Sequence, residues 1–168
     1  MPALTTEQDI RQALSALDVL GLTMHFEAVG DTAEGHSSVE ERIAIGCVVR
    51  TRVRLGGYGG DSYKGVCLAH GQFSCWEPAG GEANHAALLV LARQLAEQPT
   101  GPVPPLYQET RYLASGILQA FLLDRTEGAT HYYAPAAMRP PDTVPSWAVG
   151  HAPVAMIGRQ RFYRLRTT

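Results

Sequence analysis

A chain of 168 residues, 45% apolar and 18% charged, is long enough to bury one core and too apolar to stay disordered. Its net charge of −2 excludes the broad basic footprint that neutralises nucleic-acid phosphates, and with it a polybasic membrane tether. No apolar run approaches the roughly 20 residues of a membrane span, so neither nucleic-acid binding nor membrane insertion is expected.

The first residues, MPALTTEQDIRQALSALD, have neither the basic start nor the apolar centre of a secretory signal, and synthesis in the cytoplasm is the expectation. Residues 7–28 are predicted as one helix. Thr5 with Gln8, or Thr6 with Asp9, gives the start signal, and Ile10, Leu14, Leu17, Leu20 and Met24 form one apolar stripe. Gly30 is the expected stop, and residues 31–37 a turn. Ser37 with Glu40, or Ser38 with Glu41, then caps a second helix running to about Val53. A glycine-rich loop follows. No glycine-lysine-serine or -threonine follows at the spacing of a phosphate-binding loop, so it reads as a flexible connection.

Residues 64–76 read as a short helix or turn and then a short extended piece. A third helix is predicted over Glu82–Glu97, with Ala86, Leu89, Val90 and Ala96 toward the core. The segment PTGPVPP at 99–105 is a surface connection, and a fourth helix runs from about Leu106 to Leu123. The remainder is rich in turns and ends in a hairpin closing on RFYRL. The predicted fold is α+β, a single mostly helical domain over 1–168 with a small β-hairpin element.

Glu27 stands out because it continues the inward stripe, seven residues after Leu20 and three after Met24. Burying a carboxylate is costly. A carboxyl that keeps its proton near neutral pH can donate it to a glycosidic oxygen. Asp31, four residues on, is the candidate second carboxylate, or else a turn residue. Gln72, Phe73, Ser74 and Trp76, with Tyr132, Tyr133 and Trp147, supply polar tips and flat rings in loops. Such residues suit either sugar recognition or core filling. The six histidines fall in no metal-binding spacing, and neither a metal nor another cofactor is expected. Cys47, Cys67 and Cys75 are odd in number and read as buried free thiols. A cysteine–histidine peptidase built on one of them stays open as an alternative.

Six segments in this order resemble the cell wall hydrolase family typified by spore-cortex-lytic enzymes: FEAVGD (26–31), ERIAIGCVVRTRV (41–53), VCLAHGQFSCW (66–76), GATHYYAP (128–135), PSWA (145–148) and IGRQRFYR (157–164). The resemblance spans roughly residues 18–165. It implies a lysozyme-like fold and cleavage between N-acetylmuramic acid and N-acetylglucosamine in peptidoglycan, with lytic transglycosylase action by Glu27 as the leading mechanism. A hydrolytic muramidase using Glu27 and Asp31, and a non-catalytic glycan-binding or virion structural module, are the alternatives it leaves open. The chain departs from the family pattern at Asp31 (for glutamate), Thr51 (for asparagine) and Gln160 (for histidine), and its proline-rich insertion is longer. The expected setting is a phage endolysin or virion-associated member, reaching the wall after lysis, by a holin-dependent route or in a virion.

Overall fold

The computed structural model describes residues 4–28 and 37–165. Within them lie six α-helices: α1 (Glu7–Ala13), α2 (Ala16–Glu27), α3 (Val39–Leu55), α4 (Tyr63–Leu68), α5 (Glu82–Glu97) and α6 (Pro105–Leu118). They are followed by three short strands, β1 (His131–Tyr133), β2 (Ala155–Ile157) and β3 (Gln160–Tyr163). The fold is α+β and mostly helical, as expected. The expected hairpin is β2–β3, and β1 adds to its other side, giving an antiparallel sheet of order β1-β3-β2.

The predicted first helix is two helices. The chain leaves helical geometry at Leu14, and Ser15 caps a new helix by accepting the Asp18 N–H at 3.0 Å. A serine three residues before an acidic residue competes with helix continuation, which breaks the stripe at its middle. At the start of α1, Thr6 and Asp9 form the reciprocal cap. Ser38, rather than Ser37, caps α3 by accepting the Glu41 N–H at 3.1 Å. The expected stop at Gly30 and all but the last residue of the predicted turn at 31–37 lie outside the described residues. Residues 74–76, predicted as extended, form a 3₁₀ turn.

α2 is the central element. It packs against α3, α4, α5 and α6, and Asp18 through Met24 are all buried. Its polar end is compensated: Arg111 on α6 donates to Asp18 at 2.9 Å. Arg42 on α3 is likewise buried and paired with Glu109 at 2.7 Å and Thr110 at 2.7 Å, so α6 is tied to both neighbours. Gly46 lets α3 approach closely, since a Cβ there would sit 2.9 Å from both Ile117 and Met24. α5 has the predicted limits and buries Ala96 as predicted, with Leu89 packed partly against the core, but most of its inward face is different. Leu88, Leu91, Ala92 and Leu95 are buried and Val90 is 72% exposed. α6 stops five residues short of the prediction, where Ala120 takes a positive φ of 58°.

A second, smaller apolar cluster fixes the sheet to α3, with Ala44 and Val48 packed against Ala129 and Phe162. Beside it lies the buried Glu41, under the β2–β3 turn, where a Cβ at Gly158 would come within 2.6 Å of its Oε2. Burial pushes the Glu41 carboxyl up, and the Gln160 side chain and Arg159 offset this in part. One oxygen each of Glu41 and Gln160 is buried without a hydrogen-bond partner. A carboxyl raised in the fold contributes stability that is full below its unfolded value and lost as pH rises through the raised one. Glu41→Gln, which cannot ionise and brings a donor, is therefore expected to gain on the wild type in thermal midpoint as pH climbs from about 4 to about 8. The expected size is roughly 2–4 °C for each kcal/mol of burial cost relieved. A difference independent of pH in a thermal scan series would contradict this.

Candidate active site

Glu27 is the last residue of α2, and three donors from two distant segments converge on it. Ser74 Oγ donates to Oε1 at 3.1 Å and the Cys75 backbone N–H to the same oxygen at 2.7 Å. The Tyr132 hydroxyl donates to Oε2 at 2.7 Å.

Packing positions each partner. The 3₁₀ turn Ser74–Trp76 docks on α2 because Trp76 is 1% exposed and its indole N–H donates to Thr23 Oγ1 at 2.9 Å. Thr23 and Glu27 are four apart and share a helix face, so one turn engages both. From α5, His85 bonds the Cys75 carbonyl at 3.0 Å. Arg11 reaches the Trp76 carbonyl and lies over its ring. Tyr132 is held by β1, where it pairs with Phe162 of the sheet–α3 cluster.

A cleft of about 510 Å³ opens on the carboxyl, lined by Glu27, Arg52, Tyr58, Gly71, Gln72, Ser74, His131, Tyr132, Tyr133, Met138, Pro145 and Trp147. Of the residues expected to hold sugar, Gln72, Ser74, Tyr132, Tyr133 and Trp147 all face this one cleft with Glu27. Phe73 and Trp76 do not. They are 2% and 1% exposed and belong to the main core, so they support the turn beneath the cleft and cannot present a ring to a ligand. Asp31 lies outside the described residues. Among the described residues Glu27 is the carboxylate of this cleft. A larger hollow of about 790 Å³ lies between the start of α3, residues 122–127 and the β2–β3 hairpin. Three donors also converge on the Asp124 carboxyl beside it, but they come from its own loop (Thr126 N–H, Thr126 O–H and Gly128 N–H), so that carboxyl closes a turn and does not line the hollow.

Sequence reasoning missed Arg52, Tyr58 and His131. Arg52 is buried beneath the cleft, donating from Nε to the Thr130 carbonyl at 2.8 Å and from Nη1 to the Gln72 carbonyl at 3.1 Å. Its guanidinium lies over the rings of Phe73 at 4.9 Å and Tyr58 at 5.3 Å. The spacing Ala44, Val48, Arg52 was the available signal, because a row of every fourth residue places Arg52 on the buried face. Burial pulls the guanidinium's pKa down, while Tyr132, Tyr58 and the Glu27 carboxylate push it back. Tyr132 is pushed well above the usual phenol range, by burial first and the Glu27 charge second. It therefore stays a neutral hydroxyl that can donate or accept.

All three cysteines are free and buried. Burial raises Cys47 to about 11, Cys67 to about 12 and Cys75 well above the usual range. The attacking form of a cysteine is the thiolate, which such burial suppresses. Native alkylation with iodoacetamide is expected to leave all three unlabelled over hours and activity intact. Rapid labelling of one thiol in step with inactivation would point to the peptidase alternative.

Among the described residues no group of three or more His, Cys, Asp or Glu could hold a metal ion, and no helix is long and apolar enough to cross a membrane. A family model described as Cell Wall Hydrolase matches residues 36–163. The matched segment contains the turn at 74–76, Arg52, β1 and the hairpin, and begins after Glu27. Searches of curated proteins and of solved structures return no match.

Proposed function

The chain belongs to the cell wall hydrolase family, an assignment that makes it an enzyme acting on peptidoglycan, and we propose that it cuts the glycan strand with Glu27 as general acid and then general base. The observation that carries this reading is the convergence of three donors on one carboxyl at the floor of an aromatic cleft.

The two carboxyl oxygens have unequal surroundings. Oε1 faces a backbone N–H, which can only donate, so that oxygen stays an acceptor. Oε2 faces a phenol hydroxyl, which can turn to accept. The proton of the acid form therefore resides on Oε2. Donation from Oε2 to the glycosidic oxygen breaks the bond from that oxygen to C1 of muramic acid, and positive charge develops on the ring. The substrate's acetamido oxygen supports that charge. The carboxylate left behind is held by Cys75 N–H, Ser74 O–H and Tyr132 O–H. It then takes the proton of the C6 hydroxyl as that oxygen bonds to C1, closing a 1,6-anhydro ring. A hydroxyl of the same ring is already near the reacting carbon, which favours it over water. The step needs one protein carboxyl, and Glu27 is the one that lines the described cleft. A lysozyme-like architecture for the whole chain, 1–168, acting as one domain, is part of the same reading and agrees with the mostly helical fold.

Mass spectrometry of the digest tests the mechanism. Anhydro ends, lighter by one water than hydrolytic ends and resistant to borohydride, are expected. Mainly reducible muramic acid ends would make the enzyme a hydrolytic muramidase, with Asp31 the residue to examine. Reducible glucosamine ends would move the cut to the other glycosidic bond.

A further inference from the structure

We propose that His131 is a substrate-binding residue of the Glu27 cleft, using its Nε2 to hydrogen-bond a polar group of the sugar held beside Trp147. The proposal rests on the reading of that cleft as the glycan site.

His131 opens β1 and is half-buried in the cleft wall. Its Nδ1 is engaged by Thr130 Oγ1 at 2.9 Å. Thr130 is itself fixed. It is 1% exposed, its backbone N–H donates to the Tyr163 carbonyl at 2.9 Å, and its hydroxyl oxygen accepts the Leu165 N–H at 3.1 Å. The imidazole is set between two rings, Trp147 with centroids 5.1 Å apart and Tyr58 edge-on at 6.3 Å. Orientation and tilt are thus determined before any ligand arrives, which lowers the ordering cost of a contact.

One polar atom of the ring remains. Nε2 has no hydrogen-bond partner among the described residues, and it is not among the side-chain atoms sealed from solvent without a partner. Burial first, and the Arg52 charge second, hold the imidazole below its usual range, so it is neutral at neutral pH. A neutral imidazole offers one N–H and one lone pair. The Thr130 hydroxyl can serve Nδ1 in either role. Nε2 is accordingly able to donate to an acetamido carbonyl or accept from a sugar hydroxyl, and a glycan of N-acetylated sugars presents both. Trp147 lines the same cleft, partly exposed and with its ring centroid 5.1 Å from that of the imidazole, so an apolar ring and a polar nitrogen border one space, a pairing that suits a pyranose ring.

The competing explanation is packing, in which the imidazole merely fills the space between Tyr58 and Trp147. Three substitutions separate the two. His131→Phe keeps a ring without nitrogen, His131→Gln brings an amide to about the reach of Nε2, and His131→Asn brings it only to about that of Nδ1. KM and kcat are measured on soluble peptide-free glycan strands, with thermal midpoints alongside. His131→Phe is expected to raise KM about tenfold, with kcat within about threefold and an unchanged midpoint. His131→Gln is expected to recover part of that loss and His131→Asn none. Wild-type KM in the phenylalanine variant would overturn the proposal, as would a glutamine KM no lower than that of asparagine. If the phenylalanine variant does not fold, the order of glutamine and asparagine decides. Failure of all three to fold assigns His131 to packing and overturns it. A wild-type protein that leaves these strands uncut defeats the glycan reading itself, and the His131 contact falls with it. Strands cut by the wild type with no effect at His131 defeat the His131 contact alone.

Discussion

Glu27→Gln is expected to lower the rate of wall lysis by at least about 100-fold, since general acid catalysis is typically worth that much or more. The amide keeps the size and shape of the side chain and can still accept from Cys75 N–H, Ser74 O–H or Tyr132 O–H through its one carbonyl oxygen. It has no proton to give a leaving oxygen. The thermal midpoint is accordingly expected to stay within a few degrees of wild type. A variant that keeps more than about a tenth of the activity while folded would remove Glu27 from the acid role. Tyr132 is not an adequate substitute acid, because its phenol is pushed well above the usual range and is already directed at Glu27.

Trp76→Ala is expected to show the largest loss of stability of any single change in the cleft's support, about 3–5 kcal/mol. Trp76 is among the largest fully buried side chains, and its indole N–H is bound to Thr23. Since domains are stable by only about 5–15 kcal/mol, the thermal midpoint is expected to fall by roughly 10 °C or more. The turn that carries Ser74 and Cys75 loses its anchor on α2, so kcat is expected to fall as well. A folded variant with an unchanged midpoint and only a raised KM would instead make Trp76 a sugar platform, contrary to its burial. Calorimetry with steady-state kinetics on one preparation separates the outcomes.

Trp76 also shows where sequence reasoning stops. An aromatic ring in a short loop suits sugar or core equally, and the choice is made by Thr23, 53 residues earlier. Nothing local to QFSCW encodes that pairing. Glu27, by contrast, was legible because a helical stripe has a fixed period and a carboxylate on its inward side is unusual. The α3 cap was legible for a similar reason, with a serine three residues before Glu41. The break between α1 and α2 was visible as Ser15 and Asp18, but the apolar stripe running across it masked the signal. In α5, apolar residues surround the helix from Ala86 to Ala92, so the period did not single out one face, and packing against the rest of the core selected Leu88, Leu91 and Leu95. Arg52, Tyr58 and His131 come from a helix end, a glycine-rich loop and an edge strand. They meet only through the fold.

The central claim is that this cleft cuts sugar–sugar bonds, and it is tested most directly on purified glycan strands from which every peptide stem has been removed. Such strands contain glycosidic bonds and no stem amides. Chain-length distributions before and after incubation are expected to collapse to short oligosaccharides with the wild type and to stay unchanged with Glu27→Gln. Strands left at full length by a wild-type preparation that still dissolves intact sacculi would contradict the account and assign the activity to the peptide stems.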